Sequence, residues 1–578
     1  MQSLTRLDLV VFAIYVVAVI ILGLIASLRK NTSKRDYFLA GDQMPWWMIG
    51  GSIVASNISS HHIVGALGMA YTLGFVTVCN EWGAVLIGLA ALLWIFLPFY
   101  LRNGFYTMPE FLQRRFGTGP RVVFGLLILL TYLFAEISGV LVLGGLVFYN
   151  LFDIPLRWCV IILAVATAVY TIAGGLRAVI WTEMLQLSVL LLGAGALALA
   201  TFNKAGGVEA FWETRGDWHL ILPASDPNFP WTMYLGGLLC ISIFYFAANQ
   251  FIVQRVLSAK NEWHARMGVV FTCYLKFLLP LVIVVPGIMA GVMIKNGSIS
   301  PVEKPDEIFP QLVKELLPQG LVGLVLAGLV AAIMGHVSGA LNSCSTIATI
   351  DFYLPFVQWR KARKFAKSRE SPPVKKEVSH PGEISDEDRR AICFGRCFGV
   401  VCIIVGIIWA ELLAKDMEKP IFLYLLNAYG YFTPGIATMF LMGIFWKRTT
   451  YAGAVFAGLV TIPLSLLLEW LPKVAIKFPE IPFIHFRWYD QLVALPEWHF
   501  PQLSFMNRTG IVFWVCMVGC FLISLVTKPR PESEIGYLIW NKESLKLPED
   551  QRVRGLARPG FWYIVIALVI LSFYVMFP

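Results

Sequence analysis

Long apolar stretches recur from one end of the chain to the other and alternate with short polar segments. A helix that crosses the hydrocarbon core of a bilayer needs about 20 predominantly apolar residues. The pattern therefore predicts an all-α integral membrane protein. Windows of this length predict 14 transmembrane helices, near residues 8–28, 44–72, 82–101, 121–150, 157–175, 180–201, 232–253, 266–295, 318–350, 391–413, 420–445, 450–470, 510–527 and 559–577.

One of these apolar stretches is interrupted by a polar run. Residues 50–62 read GGSIVASNISSHH, between apolar residues on both sides. Lipid offers no partner for a free backbone group, so an interruption at membrane depth is tolerated where it lines a watery cavity. This segment is the best single pointer to a solute or ion pathway.

Two later spans carry similar polar runs. The span at 318–350 contains GHVSG at 335–339 and NSCS at 342–345, and the span at 420–445 contains NAYG at 427–430. Broken helices in both halves of a chain are typical of transporters built from inverted repeats. The pattern therefore predicts helix interruptions at these two places as well.

The charges are few and unevenly distributed. The 578 residues are 58% hydrophobic and 14% charged, with a mean hydropathy of +0.70, whereas a soluble domain carries about 25% charged residues. The net charge of +10 does not indicate nucleic-acid binding, because Lys and Arg concentrate in alternate loops. This positive-inside pattern places the basic loops in the cytoplasm and both termini outside a plasma (inner) membrane. These basic loops lie at 29–35, 114–121, 255–266, 361–376, 447–448 and 528–558.

The predicted spans and charged loops divide the chain into four regions. Residues 1–43 are an outer N-terminus with a peripheral first helix, and 44–470 hold the main helical core with a charged cytoplasmic linker at 357–390. An outer loop rich in proline and aromatic residues follows at 471–509, and 510–578 contain two C-terminal helices.

Signatures of soluble enzymes are missing from the sequence. It contains no H-E-x-x-H, G-x-S-x-G or G-x-x-x-x-G-K-[ST] motif and no C-x-x-C pair. The absent P-loop argues against an ATP-driven pump acting alone. We therefore expect a protein that is not an enzyme and has no cofactor.

Ionisable residues inside apolar spans are costly and are functional by default. Lys276 lies deep in the span at 266–295 and needs a partner from another helix, for which Glu81 is a plausible choice. A sugar or polyol suits such a pair, because its hydroxyls can accept from Lys and donate to Glu. The alternative is a structural ion pair that locks two helices. The other candidates are His61, His62, Glu136, Glu183, His336 and Glu411.

Roles are also predicted for four residues on other helices. Tyr245 could stack on a sugar ring, with Ser242 on the same helix face; aromatic core packing is the alternative. We expect Glu183 to have a structural or interfacial role. Asp351 is near a cytoplasmic helix end, and we expect its carboxylate to be solvated.

The sequence resembles the solute:sodium symporter family, and within it the sodium/glucose cotransporter branch. The resemblance implies the leucine-transporter fold, in which ten core helices form a 5+5 inverted repeat, and it implies alternating access. The stretches that carry it are GGSIVASNISSHHIVG at 50–65, TMPEFLQRRFG at 107–117, YTIAGGLRAVIWTEMLQ at 170–186, NQFIVQRVLSAKN at 249–261, YLKFLLPLVIVVPG at 274–287, ALNSCSTIATIDFY at 340–353 and IFWKR at 444–448.

The resemblance also assigns residues to a sugar site. Tyr245 and Phe422 match aromatic gates of the family. Where the sugar transporters place a glutamine on the tenth core helix, this chain has Leu426, and the adjacent Asn427 is the expected substitute. The residues that match the substrate site are Asn57, His62, Glu81, Ser242, Tyr245 and Lys276.

The shared sodium site of the family is altered in this sequence. Its carbonyl ligands match Ala55, Ile58 and Ala332, but its two hydroxyl positions hold Gly335 and His336. Hard cations need oxygen ligands, and imidazole is a poor substitute. Protonated His336 would place positive charge against the Ala55 and Ile58 carbonyls. A one-residue shift of the alignment, with Ser338 supplying a hydroxyl, is the other interpretation.

The resemblance thus implies a sodium-coupled symporter of a sugar or related polyol, with Na⁺ as the coupling ion and the lipid bilayer as its surroundings. Histidine exchanges its proton near physiological pH when nothing perturbs it, so a proton-coupled transporter is one alternative. An uncoupled transporter is another, and a solute sensor without net flux is an alternative of a different class. No nucleic-acid partner is expected.

Overall fold

A computed structural model describes residues 5–28, 34–368, 385–414, 421–477 and 504–578, and regular structure in these ranges is helical. The α-helices, numbered along the chain, are α1 (Arg6–Leu28), α2 (Lys34–Leu39), α3 (Trp46–Asn57), α4 (Leu67–Leu73), α5 (Val78–Ala84), α6 (Leu97–Asn103), α7 (Met108–Arg115), α8 (Thr118–Thr131), α9 (Ser138–Phe152), α10 (Leu156–Lys204), α11 (Gly207–Glu213), α12 (Gly237–Ile243), α13 (Gln250–Leu257), α14 (Glu262–Lys295), α15 (Ile308–Leu316), α16 (Leu321–Ile347), α17 (Leu354–Ser368), α18 (Asp386–Leu413), α19 (Ile421–Phe445), α20 (Tyr451–Lys477), α21 (Phe505–Val526), α22 (Glu532–Ile535) and α23 (Pro559–Met576). Single π-helical turns continue several of them, at His61–Ala66, Val85–Leu89, Leu92–Phe96, Tyr132–Ile137, Phe244–Ala248 and Ala348–Tyr353.

Eleven helical segments of the described residues are long and apolar enough to cross a membrane, or 12 if one bent pair counts as a span. The sequence predicted 14. Part of the difference is that some segments are too long for one crossing: α10 has 49 residues, about 74 Å at 1.5 Å per residue, against a hydrocarbon core of about 30 Å. Two helices meet within α10 at Gly175, whose φ is 65° and ψ is −163°. The predicted spans 157–175 and 180–201 lie on either side of this kink.

Replacing Gly175 by alanine is expected to destabilise the protein by about 1–3 kcal/mol, because that backbone conformation is essentially restricted to glycine. A Cβ there would also lie 2.6 Å from the Tyr37 carbonyl oxygen. The measurement is the midpoint of thermal unfolding in detergent. Gly195→Ala is the matched control, since Gly195 is in the same helix with open space around it, and its midpoint is expected to stay equal or rise. Equal midpoints for both variants would contradict the assigned kink.

The polar run at 50–62 breaks its helix, as predicted. Helix α3 ends at Asn57, Ile58 is extended (φ −81°, ψ 124°), and helical structure resumes at His61. A second break lies at Asn249 (φ −79°, ψ 116°), where the segments Gly237–Ala248 and Gln250–Leu257 are bent by 42°. The Asn249 side chain accepts a hydrogen bond from the Phe251 N–H and so caps α13.

The interruptions predicted at 335–345 and 427–430 are wrong, because α16 and α19 run through them without a break. The hydroxyls in α16 are satisfied by carbonyls of their own helix: Ser338 donates to Gly335, Ser343 to Gly339 and Thr346 to Asn342, at 2.8–2.9 Å. Such back-bonding lets a helix carry small polar residues. Polar composition alone therefore did not locate the second break.

The basic loops meet at one end of the molecule. Arg115 donates to the Trp446 and Lys447 carbonyls, and Arg266 donates to the carbonyls of Ser544 and Leu545. At this end lie the loops 103–117, 443–450 and 528–558 together with the start of α14. Their common position agrees with the alternation of basic loops in the sequence.

The first described residues of α1 and the last residues of α23 lie away from these loops. The Asp8 carboxylate accepts from the backbone N–H groups of Gly320 and Gly323, and the Leu220 N–H donates to the Phe577 carbonyl. The first and last helices, α1 and α23, are only 17% buried over their apolar windows and present large apolar side chains outward. Such surfaces suit lipid. The peripheral position predicted for the first helix agrees with this exposure.

Two predicted regions fall partly outside the described residues. Of the linker at 357–390, residues 369–384 are not described, and α17 extends to Ser368 while α18 begins at Asp386. Of the outer loop at 471–509, residues 478–503 are not described, and α20 extends to Lys477.

Candidate functional site

A polar cavity lies where the two helix breaks face each other. The empty space within it, counted together with open solvent at its mouth, is about 620 Å³. The residues that line it are Asn57, Ser59, His61, His62, Asn80, Glu81, Ala84, Glu136, Leu238, Ile241, Ser242, Tyr245, Phe246, Lys276, His336, Leu426 and Tyr429.

A charged group forms one wall of the cavity. Lys276 on α14 donates to the Glu81 carboxylate on α5, and His62 Nε2 lies 3.2 Å from the other oxygen of that carboxylate. The Lys276 side chain is only 2% exposed and Glu81 16%. A lysine at this depth requires an anion, so the pairing predicted for Lys276 and Glu81 is present. The opposite charges make the group close to neutral, with donors and acceptors at the cavity surface.

Asn57 and Tyr245 form a second wall. Asn57 is the last residue of α3, and its Nδ2 donates to the Tyr245 hydroxyl at 3.0 Å. The other side-chain atom of Asn57, Oδ1, is buried without a hydrogen-bond partner in the described part of the chain. A buried unpaired acceptor costs about 1–3 kcal/mol, and a hydroxyl of a bound solute would satisfy it. Ser242 lies one turn before Tyr245 and lines the same cavity.

Of the residues predicted for the site, one stands apart from it and another cannot be placed. Asn427 does not line the cavity: its Oδ1 accepts from Arg508, and Leu426 faces the cavity in its place. The side chain of Phe422, the second predicted gate, lies outside the described residues. The substitution of Asn427 for the family's glutamine therefore finds no support in the geometry.

Three residues that the sequence left unassigned also line the cavity: His61, Glu136 and Tyr429. Neither ring nitrogen of His61 has a hydrogen-bond partner among the described residues. Tyr429 donates to Glu136 Oε1, which joins α19 to the π-helical turn before α9. The one signal available in the sequence was that Glu136 and His61 are ionisable groups inside apolar spans.

His336 is paired on both ring nitrogens. Its Nδ1 lies 2.7 Å from the Ser56 carbonyl oxygen, and its Nε2 lies 2.5 Å from Glu136 Oε2. The side chains of His336 and Glu136 are 2% and 1% exposed. This pair links α16 to α3 and to the turn that carries Glu136, beside the cavity.

The positions that the resemblance assigns to the family's sodium site form an incomplete ligand set. Gly335 carries no side-chain oxygen, and a Cβ there would lie 2.8 Å from the Ala55 carbonyl oxygen, so α16 and α3 are closely packed. The Ser338 hydroxyl is bound to the Gly335 carbonyl at 2.9 Å. Backbone carbonyls at Ala55, Ile58 and Ala332 remain, without the two hydroxyls. The residues here do not fit a hard cation, which needs several oxygen ligands.

A buried ion pair adjoins the cavity. Arg255 on α13 pairs with Glu183 on α10, and both side chains are fully buried. The hydroxyls of Ser52 and Ser56 on α3 also donate to this carboxylate. The pair ties three helices together, in line with the structural role expected for Glu183. The expectation for Asp351 was wrong, since its carboxylate is buried and accepts from Arg121 Nε at 3.0 Å.

Discontinuous helices that surround a buried polar cavity define a membrane transporter of small solutes. The model of the family described as "SSF: Sodium:solute symporter family" matches residues 37–371 and 384–461. This chain belongs to the sodium:solute symporter family. Members of this family are transporters rather than enzymes, and the family uses Na⁺ as coupling ion.

Individual proteins that are similar to this chain are also sodium-coupled cotransporters or symporters. The sodium/glucose cotransporter of Vibrio parahaemolyticus is 33% identical over 530 residues, which cover 87% of this chain and 91% of the relative. The human sodium/myo-inositol cotransporter is 31% identical over 590 residues, which cover 94% and 76%. Among solved structures, a substrate-bound, outward-open Na⁺-coupled sialic acid symporter matches with a TM-score of 0.72 and 20% identity, over 91% of this chain and 99% of that one. The last match shows a shared, leucine-transporter-like fold.

Proposed function

We propose that this protein transports a neutral polyhydroxylated solute, a sugar or a polyol, through the cavity between its two broken helices. One observation carries the proposal: Glu81, Lys276 and His62 face the same cavity as Asn57, Ser242 and Tyr245. The relatives named for glucose and myo-inositol support the same class of solute.

The charges of the cavity favour a neutral solute. Glu81 is already paired with Lys276 and lies beside His62, so an ionic solute would find no buried countercharge there without breaking that pair. A hydroxyl can both donate and accept, and it can therefore bind Glu81, Lys276 and the free Asn57 Oδ1 without adding charge. A polyol is the solute that uses all of these groups.

The proposed architecture has 14 transmembrane helices with a 5+5 inverted repeat core, embedded in a plasma membrane with both termini outside. The break at Ile58 and the bend at Asn249 support it, since they fall in the first and the sixth of the ten core helices predicted from the sequence. Inverted repeats place their broken helices at equivalent positions of the two halves. The position of the first described residues of α1 and the last residues of α23, away from the basic loops, supports the orientation.

The test is counterflow in proteoliposomes that contain the purified full-length protein. Vesicles are loaded with unlabelled glucose, galactose, myo-inositol or, as a non-polyol control, leucine, and the entry of the radiolabelled solute is followed without any ion gradient. Counterflow of at least one polyhydroxylated solute and none of leucine is expected. Binding of these solutes without counterflow would instead identify a sensor, and counterflow of leucine alone would contradict the proposed solute class.

A further inference from the structure

We propose that the Glu136–His336 pair takes the place of the coupling sodium ion in this protein, and that a proton exchanged on this pair drives solute movement. The inference rests on the proposed function, because it concerns the ion that accompanies the proposed solute. It starts from the mismatch between the family's sodium chemistry and the residues at Gly335 and His336.

The hydrogen bonds of His336 fix where its protons are. The Ser56 carbonyl can only accept, so Nδ1 carries a hydrogen and donates to it. A lone pair on Nε2 would repel a carboxylate oxygen 2.5 Å away, so one further proton lies between Nε2 and Glu136 Oε2. Written as imidazole with carboxylic acid or as imidazolium with carboxylate, the pair is neutral. Loss of the shared proton leaves one negative charge, and that proton belongs to the pair rather than to either residue.

In the part of the chain that the structure describes, Arg255 on α13 and Lys276 on α14 are already paired with other carboxylates and do not neutralise that negative charge. Arg255 is engaged by Glu183, and Lys276 by Glu81 across the cavity. The remaining titratable groups near the pair are neutral near pH 7 in their ordinary state. These groups are His61 toward His336, Tyr132, Tyr245, Tyr429 and Cys344 toward Glu136, and Cys402 beside Cys344. Both residues of the pair line the cavity through which water would enter, so a proton can be exchanged there with the cavity.

Two contacts connect the pair to the solute groups. Ser56, the acceptor for His336, immediately precedes Asn57 at the end of α3. Tyr429, which donates to Glu136, packs edge-on against Tyr245 with ring centroids 5.9 Å apart, and Tyr245 accepts from Asn57. A solute that orders Asn57 and Tyr245 therefore also orders the groups that hold the protonated pair. Binding of solute and of proton then favour each other reciprocally.

The test is solute accumulation in proteoliposomes of the full-length protein, with radiolabelled myo-inositol and glucose as probes. In choline medium without Na⁺, an inward proton gradient of one pH unit is expected to concentrate solute severalfold, up to about tenfold for one proton per solute. A protonophore abolishes this accumulation, and replacing choline by Na⁺ at constant pH changes it less than twofold. A pH dye inside the vesicles reports acidification when solute is added.

Variants separate the pair from the solute site. His336→Gln and Glu136→Gln are expected to lose proton-driven accumulation and the dye signal. Some counterflow is expected to persist, because counterflow moves no net proton, but at a lower rate than in the wild type, because both residues line the solute cavity. His219→Gln, which alters an exposed histidine at the far end of the molecule, is the matched control and keeps both. Retained counterflow in the pair variants also shows that they fold. If either variant loses counterflow, His336→Asn or Glu136→Asn is assayed in the same way, and the inference stands only if proton-driven accumulation is lost where counterflow remains.

Three results would overturn the inference: accumulation that needs Na⁺ at every pH, accumulation by neither gradient, or proton-driven accumulation that persists in His336→Gln. Each can occur while wild-type protein still shows counterflow of a sugar or polyol, and then only the inference fails. Absence of counterflow for every polyhydroxylated solute, in contrast, contradicts the proposed function itself.

Discussion

Replacing Lys276 by methionine is expected to lower the initial rate of solute uptake by about tenfold to a hundredfold. Lys276 donates to Glu81 inside the cavity, and only 2% of its side chain is exposed. Methionine keeps the length of the side chain but removes the donor. A hydrogen bond to a charged group contributes about 1.5–3 kcal/mol, and each 1.4 kcal/mol is a factor of about ten. The measurement is the uptake of radiolabelled solute into proteoliposomes with matched protein content.

Lys295→Met is the matched control for this variant. Lys295 ends the same helix, is exposed and lies outside the cavity, so its removal is expected to leave uptake within about twofold of the wild type. Unchanged uptake in Lys276→Met would mean that the pair with Glu81 only locks two helices, which was the alternative interpretation of the sequence. An equal loss in both variants would indicate a general effect of removing positive charge from α14.

Replacing Arg255 by methionine is expected to prevent the accumulation of folded protein. The change leaves the Glu183 carboxylate buried without a cation, and breaking a buried ion pair in this way costs about 3–5 kcal/mol. The measurement is the yield of monodisperse protein from size-exclusion chromatography, followed by thermal unfolding of whatever is recovered.

The double variant Glu183→Leu/Arg255→Met separates charge from packing. Replacing both members of a buried pair by apolar residues is often neutral, so the double variant is expected to recover most of the folded yield that Arg255→Met loses. Removing the exposed Lys447–Glu532 pair, whose side chains are 62% and 69% exposed, is expected to change neither yield nor unfolding. A double variant as poor as the single one would contradict the explanation by an unpaired charge.

Sequence patterns predicted the features that follow from the free-energy cost of placing a charged or polar residue within an apolar span. A lysine in the middle of an apolar span must find an anion, and this requirement led from Lys276 to Glu81 before any geometry was known. The break after Asn57 was visible because glycine, serine and asparagine are concentrated there. The alternation of basic loops predicted that these loops share one end of the molecule, where Arg266 donates to the Ser544 carbonyl and Arg115 to the Trp446 carbonyl.

Other features depend on contacts that no local pattern encodes. Glu136 and His336 are 200 positions apart, and nothing near either residue specifies the other as its partner. The bend at Asn249 follows an apolar π-helical turn, Phe244–Ala248, without the glycine or proline that usually marks a break. Asp351 looked solvated because it was assigned to a helix end, but the helical chain continues to Ser368 and Arg121 covers the carboxylate.

The position of Asn427 illustrates the same limit. Its neighbour Leu426 replaces the family's glutamine, and adjacency in sequence suggested that Asn427 could take over that role. Successive residues of a helix point about 100° apart, so the neighbour of a residue that faces the cavity faces elsewhere. The structure accordingly shows Leu426 at the cavity and Asn427 bound to Arg508.

The most direct test of the central claim is a cryo-electron microscopy structure of the full-length protein with the solute that shows counterflow. Density for the solute is expected in the cavity between the two helix breaks, with its hydroxyls within hydrogen-bonding distance of Glu81, Lys276 and Asn57 Oδ1. Solute density at another place, with this cavity filled by side chains or water alone, would contradict it.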